Sequence, residues 1–140
     1  MKDTISLTHP KKNQKELVIT WTEYIDLIEN LISQIPKDKY SCVYGIARGG
    51  SIPATIISYR MNLPCLSNYR EIEKFTDYGL KFCLVVDDIS DSGKTLNIFQ
   101  NYKNIETATV FFKEGSANKP DYFAKLLSSD VWVVFPYDAK

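Results

Sequence analysis

The sequence is poor in the residues from which most metal and acid-base sites are built. Among 140 residues there is one histidine. This is His9, beside Pro10 in a polar lead segment, so a histidine metal cluster and histidine acid-base catalysis are both poor expectations. The three cysteines, Cys42, Cys65 and Cys83, are odd in number. They show neither Cys-x-x-Cys spacing nor a neighbouring histidine, which sets aside a zinc site and leaves each as an expected small buried residue. Net charge is also missing, because seventeen Lys plus Arg offset seventeen Asp plus Glu. No overall field then draws the chain to nucleic acid or to a membrane surface, and any bound anion must be met by a local arrangement of donors. No apolar run reaches membrane-spanning length, and no hydrophobic leader follows Met1-Lys2-Asp3, from which a cytoplasmic, reduced protein is expected. Internal repeats and low-complexity tracts are absent.

What is present is an ordinary globular balance, 44% apolar and 24% charged, over a length that suits one domain with a modest core. Residues 1–16 are polar and lysine-rich and read as a flexible arm ahead of a single domain over 17–140. Thr20-Trp21-Thr22-Glu23 has the form of a capping box, and Ile25, Ile28, Ile32 and Ile35 mark one face of the helix that follows, which Pro36 stops. CVYGIA (42–47) reads as a strand, Arg48-Gly49-Gly50 as a loop, and IPATIISYRM as a helix with Pro53 in its first turn. Residues 63–67 suit a short strand, and 68–80 a mobile loop or hairpin. The strand-loop-helix order then returns as FCLVV, DDISDSG and KTLNIFQNY, followed by a strand over 108–112. Alternation of this kind predicts an α/β fold, a mainly parallel central sheet flanked by helices, with ligands bound beyond the carboxyl ends of its strands. VWVVF, within 121–140, is expected to form a strand of a small C-terminal flap.

The segment CLVVDDISDSGKT (83–95) carries most of the chemistry. Asp87, Asp88 and Asp91 repel one another unless a cation, a hydroxyl-rich ligand or backbone donors share the site. Asp91, Ser92, Gly93, Lys94 and Thr95 lead into a helix, so backbone amides and two hydroxyls can converge on one phosphate, with Gly93 permitting close approach. A nucleoside-triphosphate P-loop would need glycine where Asp88 stands, which disfavours that reading.

LVVDDISDSGKTL resembles the signature of the type I phosphoribosyltransferases. VYGIARGGSIPATII resembles that family's pyrophosphate loop, FFKEG the lysine strand of its purine enzymes, and DVWVVFPYD their C-terminal hood. The resemblance spans about Leu17 to Asp138 and points to the short xanthine-guanine and hypoxanthine-guanine enzymes. It implies transfer of a phosphoribosyl group from phosphoribosyl pyrophosphate to a 6-oxopurine, with Mg2+, in purine salvage. The donor's 5-phosphate would sit at Asp91 to Thr95. Asp87 and Asp88 would meet the ribose hydroxyls, Asp88 with Asp138 would serve the metal, and Arg48 and Gly49 would hold pyrophosphate, where the family often has a non-proline cis peptide. Lys113 would face the base carbonyl, Trp132 would stack on the base, and Val133 would offer backbone groups to its edge. Asp91 would act as general base, and Asn68-Tyr69 would open the mobile loop, with Tyr69 at the site. Asn68 departs from the family's serine, which leaves the closing role of that loop open, and Val134 stands where an acidic residue is expected, which leaves the preferred purine open. A homodimer or homotetramer is implied, with no nucleic-acid or membrane partner. Two alternatives stand beside this reading: a nucleotide-sensing or RNA-binding regulator on the same fold, and a uracil or orotate phosphoribosyltransferase.

Overall fold

The structure is a computed structural model that describes residues 13–99 and 102–138. Its first strand, β1 (Lys15–Val18), begins inside the stretch expected to be an arm; the rest of that arm, residues 1–12 with His9, lies outside the described residues. Thr20 then caps helix α1 (Trp21–Gln34), accepting from the Glu23 amide while the Glu23 carboxylate accepts from the Thr20 amide. This is the anticipated capping box, satisfying two donors that the helix start leaves open. The most buried stripe of α1 is Tyr24, Ile28 and Leu31, with Ile25 and Ile32 on its flanks.

Strand β2 (Tyr40–Gly45) leads through residues 46–50 into α2 (Ser51–Met61) and then the short β3 (Cys65–Leu66). Residues 68–80 do not form a hairpin. Asn68 accepts from the Arg70 amide and starts a 3-10 turn over Tyr69–Glu71, helix α3 (Ile72–Phe75) follows, and a second 3-10 turn covers Asp77–Gly79. The physical reason lies in Ile72, which is buried among Leu66, Cys42, Cys83, Val85 and Phe99 and ties the segment down. Cys42 and Cys83 are buried as expected, but Cys65 is exposed, because β3 is an edge strand.

Strand β4 (Phe82–Ser90) runs four residues beyond the expected FCLVV strand, so Asp87 and Asp88 belong to the strand and the turn is left to Asp91–Gly93. The helix expected over 94–102 is a single turn, α4 (Lys94–Asn97). Thr95, Asn97 and Ile98 are weak helix formers, and the Asn97 side chain is engaged by Asn118. Strand β5 (Ile105–Lys113) is longer than its apolar centre suggested. An unforeseen strand, β6 (Tyr122–Leu127), lines up beside it, and β7 (Val131–Val134) closes the chain's order. YFAKLL lacks the β-branched residues that flag a strand; it pairs because β5 offers an open edge.

Among the described residues the main sheet is five-stranded, in the order β3-β2-β4-β5-β6, with every pair parallel. The β1 and β7 strands form a separate parallel ribbon, the hood, with Leu17 opposite Val133. Its inner side packs Val131 and Val133 into the core built by Tyr24, Ile28, Leu31, Leu84, Val86, Val110 and Phe111. Phe135 and Tyr137 stack with ring centroids 5.3 Å apart and lean on Tyr24, which fastens the hood to α1.

Candidate active site

The strand order reverses between β2 and β4: α2 leads from β2 outward to β3, and the chain then crosses back to β4 on the other side. At such a switch point the loops beyond the strand ends diverge and leave a crevice. The loop after β2 lines it from one side and the Asp87–Thr95 stretch from the other.

The two sides interlock. The Ile46 amide donates to the Val86 carbonyl at 2.9 Å, tying the start of the β2 loop to β4. Gly49 lies so close to Asp88 that a Cβ on it would sit 2.1 Å from Asp88 Oδ2, so no larger residue fits without displacing that carboxylate. The Ala47-Arg48 peptide is cis. Arg48 is exposed and makes no ion pair among the described residues. Beside this loop, a cavity of about 310 Å³ is lined by Ala47, Ser51, Thr55, Cys65 and Ser67 among others.

Asp87 and Asp88 are 1% and 6% exposed. Each uses Oδ1 to accept the next residue's amide, Asp88 to Asp87 and Ile89 to Asp88, both at 2.8 Å. The parallel register of β4 with β5 holds through this stretch, with Asp87 opposite Thr109 and Ile89 opposite Phe111.

Beyond them, Gly93 adopts φ +84 and the Lys94 amide donates to the Ser92 hydroxyl at 3.3 Å. Asp91, Ser92 and Lys94 are exposed, and Thr95 is half-buried. Lys113, 3% exposed, reaches from the end of β5 to within 3.4 Å of Asp91 Oδ1. The proposed base-facing cation and the proposed general base are thus neighbours in space.

The hood residues sit as follows. Trp132 is half-buried and lies on the side of the ribbon away from Val131 and Val133, and Val133 is buried with its backbone in register with Leu17. Asp138 accepts from the Phe135 amide at 2.8 Å and so closes the last turn. Tyr69 is exposed in its 3-10 turn. The structure brings Gly49 to Asp88 and Lys113 to Asp91.

Two tyrosines escaped the sequence reading. Burial pushes the Tyr24 phenol well above its ordinary value of 10.0; Tyr137 opposes this, and the charges of Asp88, Asp87 and Asp138 add to it. Burial likewise raises Tyr137, again with Asp88 next in effect. Both hydroxyls therefore stay neutral at the back of the acidic strand end. Tyr24 opens the buried stripe of α1, but nothing in its spacing marks it as a neighbour of Asp88.

Comparison with known proteins fits this geometry. No family-wide sequence model matches the chain. A xanthine-guanine phosphoribosyltransferase from Cereibacter sphaeroides is 30% identical over 119 residues, covering 71% of this chain and 70% of that protein. The chain belongs to the xanthine-guanine phosphoribosyltransferase family. An Idiomarina loihiensis member of that family is 28% identical over an alignment of 144 positions, covering 90% of this chain and 89% of its own length. Among solved structures, a purine phosphoribosyltransferase from Pyrococcus horikoshii superposes with a TM-score of 0.73 at 24% identity, covering 89% of this chain and 95% of the other. A Neisseria gonorrhoeae protein solved with bound ppGpp gives 0.72 at 20% identity over 90% of each chain. These structural likenesses fix the type I phosphoribosyltransferase fold, the α/β arrangement that the strand and loop order had predicted.

Proposed function

We propose that the protein transfers the 5-phosphoribosyl group of phosphoribosyl pyrophosphate to a 6-oxopurine (guanine, xanthine or hypoxanthine), releasing pyrophosphate, in purine salvage. The observation that carries this reading is the contact of Gly49 with Asp88, which sets a pyrophosphate-sized loop directly against a carboxylate suited to ribose hydroxyls.

The donor's 5-phosphate meets the amides and hydroxyls of Asp91 to Thr95, while Asp87 and Asp88 accept from the ribose hydroxyls. Arg48 and the Gly49 backbone hold the leaving pyrophosphate. A bond forms from a purine nitrogen to C1 of the ribose as the C1–O bond to pyrophosphate breaks. Positive charge grows on the sugar in between, and the neighbouring carboxylates stabilise it. The proton on the attacking nitrogen passes to Asp91, and Lys113 donates to the purine's 6-carbonyl. Trp132 and the Val133 backbone complete the base site, and Tyr69 opens the segment that shields it from water.

The residues present fit Mg2+. No group of three or more His, Cys, Asp or Glu side chains converges among the described residues, whereas Asp88 stands at the edge of the crevice. Mg2+ characteristically takes one or two carboxylates and completes its shell with substrate phosphates and water. Asp88 would hold it, with Asp138 a second candidate; each carboxylate also accepts a main-chain amide. When bound, Mg2+ neutralises charge on the departing pyrophosphate.

The test is incubation with donor, Mg2+ and a panel of guanine, xanthine, hypoxanthine, adenine, uracil and orotate, with detection of nucleoside monophosphate and pyrophosphate. Products from one or more 6-oxopurines are expected. Products from pyrimidines alone, or none with any base together with tight RNA binding, would overturn the reading. A cytoplasmic homodimer or homotetramer accords with it; no helix among the described residues is long and apolar enough to cross a membrane.

A further inference from the structure

The helix that should steady the phosphate loop is too short to do so. α4 has four residues, and a helix of one turn has little stability of its own. The loop is instead held by residues 114–121, the connection between β5 and β6, which carries no helix and runs back across the loop. The Ala117 amide donates to the Ser92 carbonyl at 2.9 Å. Ser90 Oγ, at the end of β4, donates to the Asn118 carbonyl at 2.9 Å and lies 2.9 Å from Ser116 Oγ. The Asn118 side-chain amide donates to Asn97 Oδ1 at the far end of α4. Gly93 is pressed against the same connection: a Cβ there would lie 2.5 Å from the Asn118 nitrogen and 2.9 Å from that of Ala117. The glycine is therefore demanded by this crossing as well as by its φ of +84. The connection follows directly on Lys113, which is itself paired with Asp91, so the segment is held at Asp91, Ser92, Gly93 and Asn97.

We propose that Asn118, through its bridge to Asn97, is a positioning residue that presets the phosphate loop for the donor's 5-phosphate. This rests on the phosphoribosyltransferase reading given above. A preset loop binds without first losing conformational freedom; the bridge holds the Asn97 end, while Asp91 at the other end is held by Lys113, so the bridge acts on donor affinity more than on the chemical step.

The experiment compares Asn118→Ala, Asn97→Ala and the double variant with the parent. Titration calorimetry of the full chain with ribose 5-phosphate and with phosphoribosyl pyrophosphate is run beside steady-state kinetics and thermal melts. Each single variant is expected to weaken both ligands about five- to tenfold, with kcat and the purine KM within about twofold, the scale of one hydrogen bond. The double variant is expected to be no worse than either single, because the two side chains form one bridge. Parent-like affinity in both singles overturns the proposal, as do additive losses, or losses spread evenly over kcat and both KM values with a lowered melting temperature. Ser90→Ala, which removes a second tie to the same segment, is expected to move donor affinity in the same direction; no change there counts against the proposal. If the parent itself binds ribose 5-phosphate but forms no nucleotide with any base, the enzymatic reading fails while the role of Asn118 in phosphate binding is still decided by the titrations.

Discussion

Lys113 Nζ lies 3.4 Å from Asp91 Oδ1, the lysine buried at the end of β5 and the aspartate more than half exposed at the turn after β4. A buried ammonium needs a partner, and the partner supplied is the residue proposed to take the proton from the incoming purine. In the proposed reaction the purine ring would enter where this pair stands, with its 6-carbonyl toward the lysine and its imidazole side toward the aspartate.

Lys113→Met is therefore expected to lower kcat/KM for the purine by roughly 10- to 100-fold, the scale of a hydrogen bond to a charged group. The variant should still fold, since an apolar residue of similar length replaces a cation that was costly to bury. Initial rates at saturating donor, with a thermal melt alongside, decide it; unchanged efficiency would remove Lys113 from the base site.

Asp91→Asn keeps the size of the side chain and removes its basicity. Turnover should fall by about 10²- to 10⁴-fold, while donor affinity changes little. Single-turnover rates and direct donor titration separate the two effects, and a variant as fast as the parent would end the assignment of Asp91 as general base.

Gly49→Ala places a methyl carbon where Asp88 Oδ2 now sits. Either the β2 loop or the carboxylate must shift, at a cost of about 1 to 3 kcal/mol. The donor KM should rise more than the purine KM. Equal effects on both substrates would mean that the contact does not position the pyrophosphate loop.

The Tyr24 phenol titrates above its ordinary value of 10.0 because it is buried and faces Asp88, Asp87 and Asp138. Below about pH 10 both the folded and the unfolded chain keep it protonated, and its contribution to stability is intact. Above that, the unfolded chain ionises first, so stability falls as pH rises. Tyr24→Phe should flatten this alkaline decline. Denaturant unfolding at pH 8 and pH 11 measures it, and equal declines in parent and variant would show that the hydroxyl does not titrate as described.

Much of this was legible in the chain because it is local. The capping box at Thr20 and Glu23, the glycines of the 46–50 loop and the run from Asp87 to Thr95 each specify backbone within a few residues, where hydrogen bonds and φ limits act directly. The errors fall where distant residues prevail. Residues 68–80 look like an open loop until Ile72 is seen to plug the small core under Leu66 and Phe99. The helix after Thr95 stops early where the Asn97 side chain is claimed by Asn118. YFAKLL becomes β6 because β5 leaves an edge unpaired.

The sequence by itself determined the kind of chemistry: an acidic strand end, a phosphate-sized loop and an arginine-glycine loop are short-range arrangements that need no partner to be recognised. Tertiary structure alone decided which of these groups meet. Gly49 abuts Asp88, Lys113 pairs with Asp91, Tyr24 and Tyr137 back the carboxylates, and the β5–β6 connection grips the phosphate loop. Each of these contacts depends on parallel strand order and on the crossing of β4 beside β2. Contacts between residues tens of positions apart come from burying one shared core, and that has no signature in any short stretch of the chain.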